Sequence, residues 1–128
     1  MTTYTADTIF EDQVAAELLT DIREAGEEFL EEIKFPPLAM LTPGFEPAGP
    51  RGEFERIMHC LREVAAEHAP CTREELFLLL HDAATQQVVD LALEHRRRIQ
   101  QGRSIVIVNK RLEVSEAVLR TFIGITRR

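Results

Sequence analysis

Eight side chains have types and spacing that bear on chemistry: His59, Cys60, His68, Cys71, His81, Asp82, Thr85 and His95. Zinc takes four nitrogen or sulfur ligands in a tetrahedron. His68 and Cys71 straddle Pro70 at a ligand-like spacing, and His59 with Cys60 would have to supply the other pair. Neighbours on a helix point about 100° apart, so His59 and Cys60 do not readily reach one ion. The chain has no Cys-x-x-Cys pair. Neither a structural metal nor another cofactor is expected. A nucleophilic thiol needs a base and a lowered pKa. Cys60, between His59 and Leu61, reads as a small core residue. Cys71 would gain from the helix N-terminus that follows it, but Glu74 and Glu75 oppose ionisation there.

The His81-Asp82 pair, with His59 as a preceding histidine, is similar to the metal-binding pair of helical phosphohydrolases. That resemblance implies a further aspartate from a distant helix. Asp90 is the only aspartate after Asp82, and it falls on the same helix. The stretch Glu75 to Thr85 also resembles the central helix of some small bacterial helical proteins. Those carry a leucine-rich run ending in a histidine, alanines and a threonine; Asp82 interrupts the pattern here, and no activity follows from it. Glycine-rich phosphate loops and the Gly-x-Ser-x-Gly elbow are missing. With no catalytic set, His59, His81, Asp82 and Thr85 stand as a candidate polar pocket.

The elements that would position these residues are helical. Thr8 and Glu11 fit a capping box that opens a helix to Lys34. Its apolar stripe runs through Val14, Ala15, Leu18, Leu19, Ile22, Ala25, Phe29, Leu30 and Ile33 at steps near three and four. Gly26 is its weak point, costing about 1 kcal/mol relative to alanine. Residues 35–50 carry five prolines and two glycines, which excludes helix there. Phe35, Leu38, Met40, Leu41 and Phe45 pin that loop across the core. A second helix runs from Gly52 to His68 with Phe54, Ile57, Met58, Leu61, Val64 and Ala65 inward. Thr72 and Glu75 form another capping box, and a third helix continues to Gln101. It buries Leu76, Phe77, Leu79, Leu80, Ala83, Ala84, Val88, Leu91 and Ala92. Ile105, Val106, Ile107 and Val108 are all β-branched, a strand composition. They form a short hairpin, pair with a second chain, or are overridden into a helical turn. Ser115 would cap a last helix carrying Val118, Leu119, Phe122 and Ile123. The fold class is mainly α, a compact bundle of about four helices with a Pro-rich loop, and residues 1–128 read as a single helical domain.

Charge is uneven along the chain. Residues 1–35 hold ten acids and two bases, whereas residues 94–128 hold three acids and nine bases, within a net charge of −7. Arg96-Arg97-Arg98 with Arg103, Lys110 and Arg111 is the densest positive region. Nucleic-acid binding would use such a cluster on phosphates. Aromatic interleaving is missing, and Glu74 and Glu75 sit where a recognition helix would enter a groove. Nucleic acid is therefore not the expected partner; intramolecular pairing is. The acidic first helix suits a basic protein partner, because complementary fields speed encounter. No apolar run approaches the roughly 20 residues of a membrane span. The polar opening residues show no secretory leader, so a reducing cytoplasm and no membrane are expected.

These readings lead to a noncatalytic helical interaction or regulatory domain, assembled as a homodimer. The Leu76 to Leu80 run is apolar around the whole helix, and such a helix is central or lies in an interface. Phe77 or Leu78 would sit at the centre of the dimer, with Ile105 to Val108 as a second candidate interface. The alternative is a small enzyme or ligand-binding protein with a pocket under the Pro-rich loop near His59 or His81.

Overall fold

The stripe of the first helix is the seam on which the fold closes. In the computed structural model, which describes residues 13–33 and 49–125, helix α1 spans Gln13–Leu30. It buries Ala15, Leu18, Leu19, Ile22 and Leu30. Helix α2, Gly49–His68, turns Phe54, Ile57, Met58, Leu61 and Ala65 onto the same cluster. Helix α3, Arg73–Gln100, adds Leu76, Phe77, Leu80 and Ala84. Helix α4, Val106–Thr121, adds Val114 and Val118, and Phe122 follows at its end. Every pair of helices is in contact. Each fully buried large side chain stabilises the fold by roughly 1.5–3 kcal/mol through area removed from water.

The ends of α3 are built as its sequence implies. Thr72 Oγ1 accepts from the Glu75 amide at 3.1 Å, and Glu75 Oε1 accepts from the Thr72 amide at 3.2 Å. At the far end Gly102 adopts φ 66°, where a side chain would be strained. The Arg103 amide donates to the Arg98 carbonyl and the Gly102 amide to the Ile99 carbonyl. That pair of hydrogen bonds is the Schellman closure.

The structure departs from expectation at four places. The β-branched run is not a strand; no strand occurs among the described residues, and Val106 opens α4. The Asn109 amide donates to the Ile105 carbonyl at 2.8 Å, and Val108 is buried. Strand propensity is a packing preference that lapses without a neighbouring strand, and a β-branched residue costs a helix only a few tenths of a kcal/mol more than a straight-chain one. Ser115 does not cap a helix. It lies inside α4, buried, with its hydroxyl donating to the Leu112 carbonyl at 2.9 Å. Helix α2 starts earlier than its prolines suggest, because Pro50 falls in the first turn, where an amide has no helical partner to lose. Ala92, expected in the core, is exposed, and so is Ile123, expected on the last helix. The Thr8 capping box and residues 35–48 of the Pro-rich loop, with the pocket expected beneath it, lie outside the described residues.

Candidate functional site

The four polar candidates occupy two different surroundings. His59 is exposed on α2, with Nε2 2.8 Å from Glu63 Oε1 one turn on. His81 is half-buried on α3. Its ring lies 5.4 Å from that of Phe122, edge to face, and 6.4 Å from that of Phe77, stacked. Thr85, a turn further, donates its hydroxyl to the His81 carbonyl at 2.9 Å, and Asp82 faces solvent. His81 thus forms the polar spot of an open groove of about 260 Å³ lined by Phe77, Leu78, Leu119, Phe122 and Ile123. His59 does not line it. Among the described residues no three His, Cys, Asp or Glu side chains are grouped so that they could hold a metal ion. Cys60 and Cys71 are not joined in a disulfide. The Gln87 amide lies 3.5 Å from Cys60 Sγ.

The apolar candidates divide by direction. Phe77 and Val108 point inward, 5% and 4% exposed, so each is already covered by its own chain. Leu78 points outward at 45%. Ile105, Val106 and Ile107 are half-buried at the start of α4. Sequence reading missed the rest of the outer face of α3, where Val89, Leu93 and Ile99 are 42%, 53% and 56% exposed. The signal was a second apolar stripe on the side of the helix opposite Leu76, Leu80, Ala84 and Leu91. A stripe search tuned to one face per helix passes over it.

The charge pattern resolves into pairs within the chain. Arg111 Nε lies 2.9 Å from Glu53 Oε1, and Arg56 Nη2 lies 2.5 Å from Glu53 Oε2. Glu53 is itself buried. Arg97 and Arg98 both face Glu94, at 2.8 and 3.4 Å, the first without hydrogen-bond alignment. Lys110 sits 3.3 Å from Glu113. Most of the basic region is therefore neutralised by acids of α2, α3 and α4. Two acids of α1 find other partners: Asp21 pairs with Arg73 at 2.6 Å, and Glu27 with Arg51. The Arg51 guanidinium holds the Glu27 carboxyl below its ordinary value, and the Arg23 guanidinium does the same for Glu55. Arg96 has no ion pair with any described residue.

Among the described residues no helix is long and apolar enough to cross a membrane. Comparison with protein-family profiles, with curated proteins and with solved structures finds no match, so the reading of this chain rests on its own geometry.

Proposed function

We propose that this protein is a noncatalytic helical interaction domain that works through the outer face of α3. The observation that carries this reading is the position of Leu78, Val89, Leu93 and Ile99. They are four of the five exposed large hydrophobic side chains among the described residues, and all lie on one helix. Single exposed apolar residues are normal on a protein surface, whereas several aligned along one face of one helix favour a contact. The face also lies opposite the buried stripe of the same helix, so it contributes little to closing the bundle. The alternative, a ligand pocket near His59 or His81, finds its best counterpart in the groove beside Phe122. There His81 supplies one polar group, where ligand orientation normally uses several convergent ones.

A photo-crosslinking residue at Leu93 tests the reading in the native host. Adducts at position 93, with none from the exposed Glu24 of α1, are the expected result. No adduct at 93 under conditions where the protein is folded and abundant would overturn the proposal.

A further inference from the structure

The exposed row on α3 has a period and a polarity of its own. Leu78, Asp82, Thr85, Val89, Ala92, Arg96 and Ile99 follow one another at alternating steps of four and three. That is the 3.5-residue repeat with which one helix lies along another. All but Thr85, which is half-buried, are exposed. Thr85 and Ala92 are small and flank Val89 at the centre, so a facing helix could approach closely there.

The charges on the row have opposite signs at its two ends. Glu74, Glu75 and Asp82 lie in the N-terminal half of α3; Arg96 and Arg97 lie near its C-terminal end. Asp82 and Arg96 both lie in the row itself, seven residues to either side of Val89, and neither has an ion pair with any described residue. Of the other bases of the region, Arg97 and Arg98 are held by Glu94, Lys110 by Glu113 and Arg111 by Glu53. A surface with this arrangement is complementary to itself when turned end for end.

Resting on the reading of α3 as the interaction surface, we infer that its occupant is a second copy of this chain. The two α3 helices lie antiparallel about a two-fold axis at Val89, with Asp82 of each copy against the partner's Arg96. A two-fold contact uses the same patch twice, and opposed charges across it set the register. The parallel arrangement would set Asp82 against the partner's Asp82 and Arg96 against the partner's Arg96, and like charges so placed are disfavoured. In the antiparallel register Val89 meets the partner's Val89, and Thr85 meets the partner's Leu93. The partner's Ile99 comes to the Leu78 lip of the groove floored by Phe77 and Phe122. Counting both halves of the two-fold, these five side-chain contacts and two ion pairs would thus close an interface that each chain by itself leaves in water.

The test uses the full chain and sedimentation velocity across micromolar concentrations. The wild type should sediment with the mass of two chains; a single-chain mass throughout would overturn the inference. Asp82→Arg alone and Arg96→Asp alone should each weaken association by about tenfold or more. The double variant Asp82→Arg with Arg96→Asp should restore it, because the pair is merely exchanged. Singles that associate like the wild type, or a double that stays dissociated while folded by circular dichroism, would refute this register. Cysteine substitutions in a Cys60→Ser, Cys71→Ser background supply a geometric check. Val89→Cys should form an interchain disulfide under mild oxidant. Leu78→Cys should not, because the two-fold would hold the two copies of residue 78 about 33 Å apart along the axis. Equal disulfide formation at both would indicate a parallel pair and refute the proposal. A monomeric chain whose Leu93 crosslinks to some other protein would refute the second copy while leaving the interaction reading intact.

Discussion

Gly26 of α1 lies flat against the ring of Phe54 of α2. A Cβ at position 26 would come within 2.5 Å of Phe54 Cε1 and 2.9 Å of Cζ. Phe54 is 1% exposed and cannot swing out of the way, and the Arg23 guanidinium lies 5.6 Å from its ring centroid. The residue that is a weak point of the isolated helix is therefore what lets α1 and α2 close.

Two effects of opposite sign meet in Gly26→Ala. Helix propensity favours alanine by about 1 kcal/mol. Overpacking against a ring with no free space costs roughly 1–3 kcal/mol. The clash should win, lowering stability in urea denaturation. Adding Phe54→Leu should make the alanine less harmful, so that the double variant is more stable than the sum of the two single effects predicts. A Gly26→Ala protein more stable than the wild type would show that the helices can part there without cost.

Glu53 is the acid that ties α2 to α4. Its carboxylate accepts from Arg111 Nε at 2.9 Å and from Arg56 Nε and Nη2 at 3.0 and 2.5 Å. Glu53→Gln should cost about 1–3 kcal/mol. That lies below the usual figure for a broken buried pair, because both arginines stay partly in water. Chemical denaturation reads the loss. A change under about 0.5 kcal/mol would mean that the arginines find other acceptors or solvent.

Thr72 holds the start of α3, the helix on which the proposed surface stands. Thr72→Ala removes the acceptor for the Glu75 amide and should cost about 1 kcal/mol. Thr72→Ser keeps the oxygen and should recover most of it. The melting temperatures of the two variants decide the point. Equal losses in Ala and Ser would assign the effect to the methyl group and not to the cap.

Acid should loosen the α1–α2 seam. Glu55 is held below the ordinary glutamate value of 4.5 chiefly by its hydrogen bonds to Arg23, and Glu27 by those to Arg51, with burial opposing in both. A carboxylate with a lowered folded pKa binds fewer protons folded than unfolded. The stability it contributes is present above the unfolded value and lost as pH falls through the folded one. Denaturation midpoints measured from about pH 6 down to about pH 3 should therefore fall more steeply in the wild type than in Arg23→Gln. Parallel profiles would show that Glu55 draws no stability from Arg23.

The local rules of helix chemistry are independent of what surrounds them, and these were legible in the chain. Thr72 and Glu75 satisfy each other's amides in any context, so the start of α3 could be read directly, as could its stop at Gly102. The core stripes of α1 and α2 were legible because one period and one buried side describe each. Neither rule extends to a residue whose conformation depends on what lies beside it. Ile105 to Val108 carry the composition of a strand, yet with no strand to join among the described residues they lead into a helix in which Val108 is buried. Ser115 is a good cap by type, but it lies buried inside α4 with its hydroxyl on the Leu112 carbonyl. Direction was the other unknown. The run Leu76 to Leu80 is apolar all round, and only packing against α2 and α4 sends Phe77 inward and Leu78 outward. The outer row of α3 became visible for the same reason. Which of two stripes on one helix is buried depends on where the neighbouring helices lie, and that depends on contacts between residues far apart in the chain.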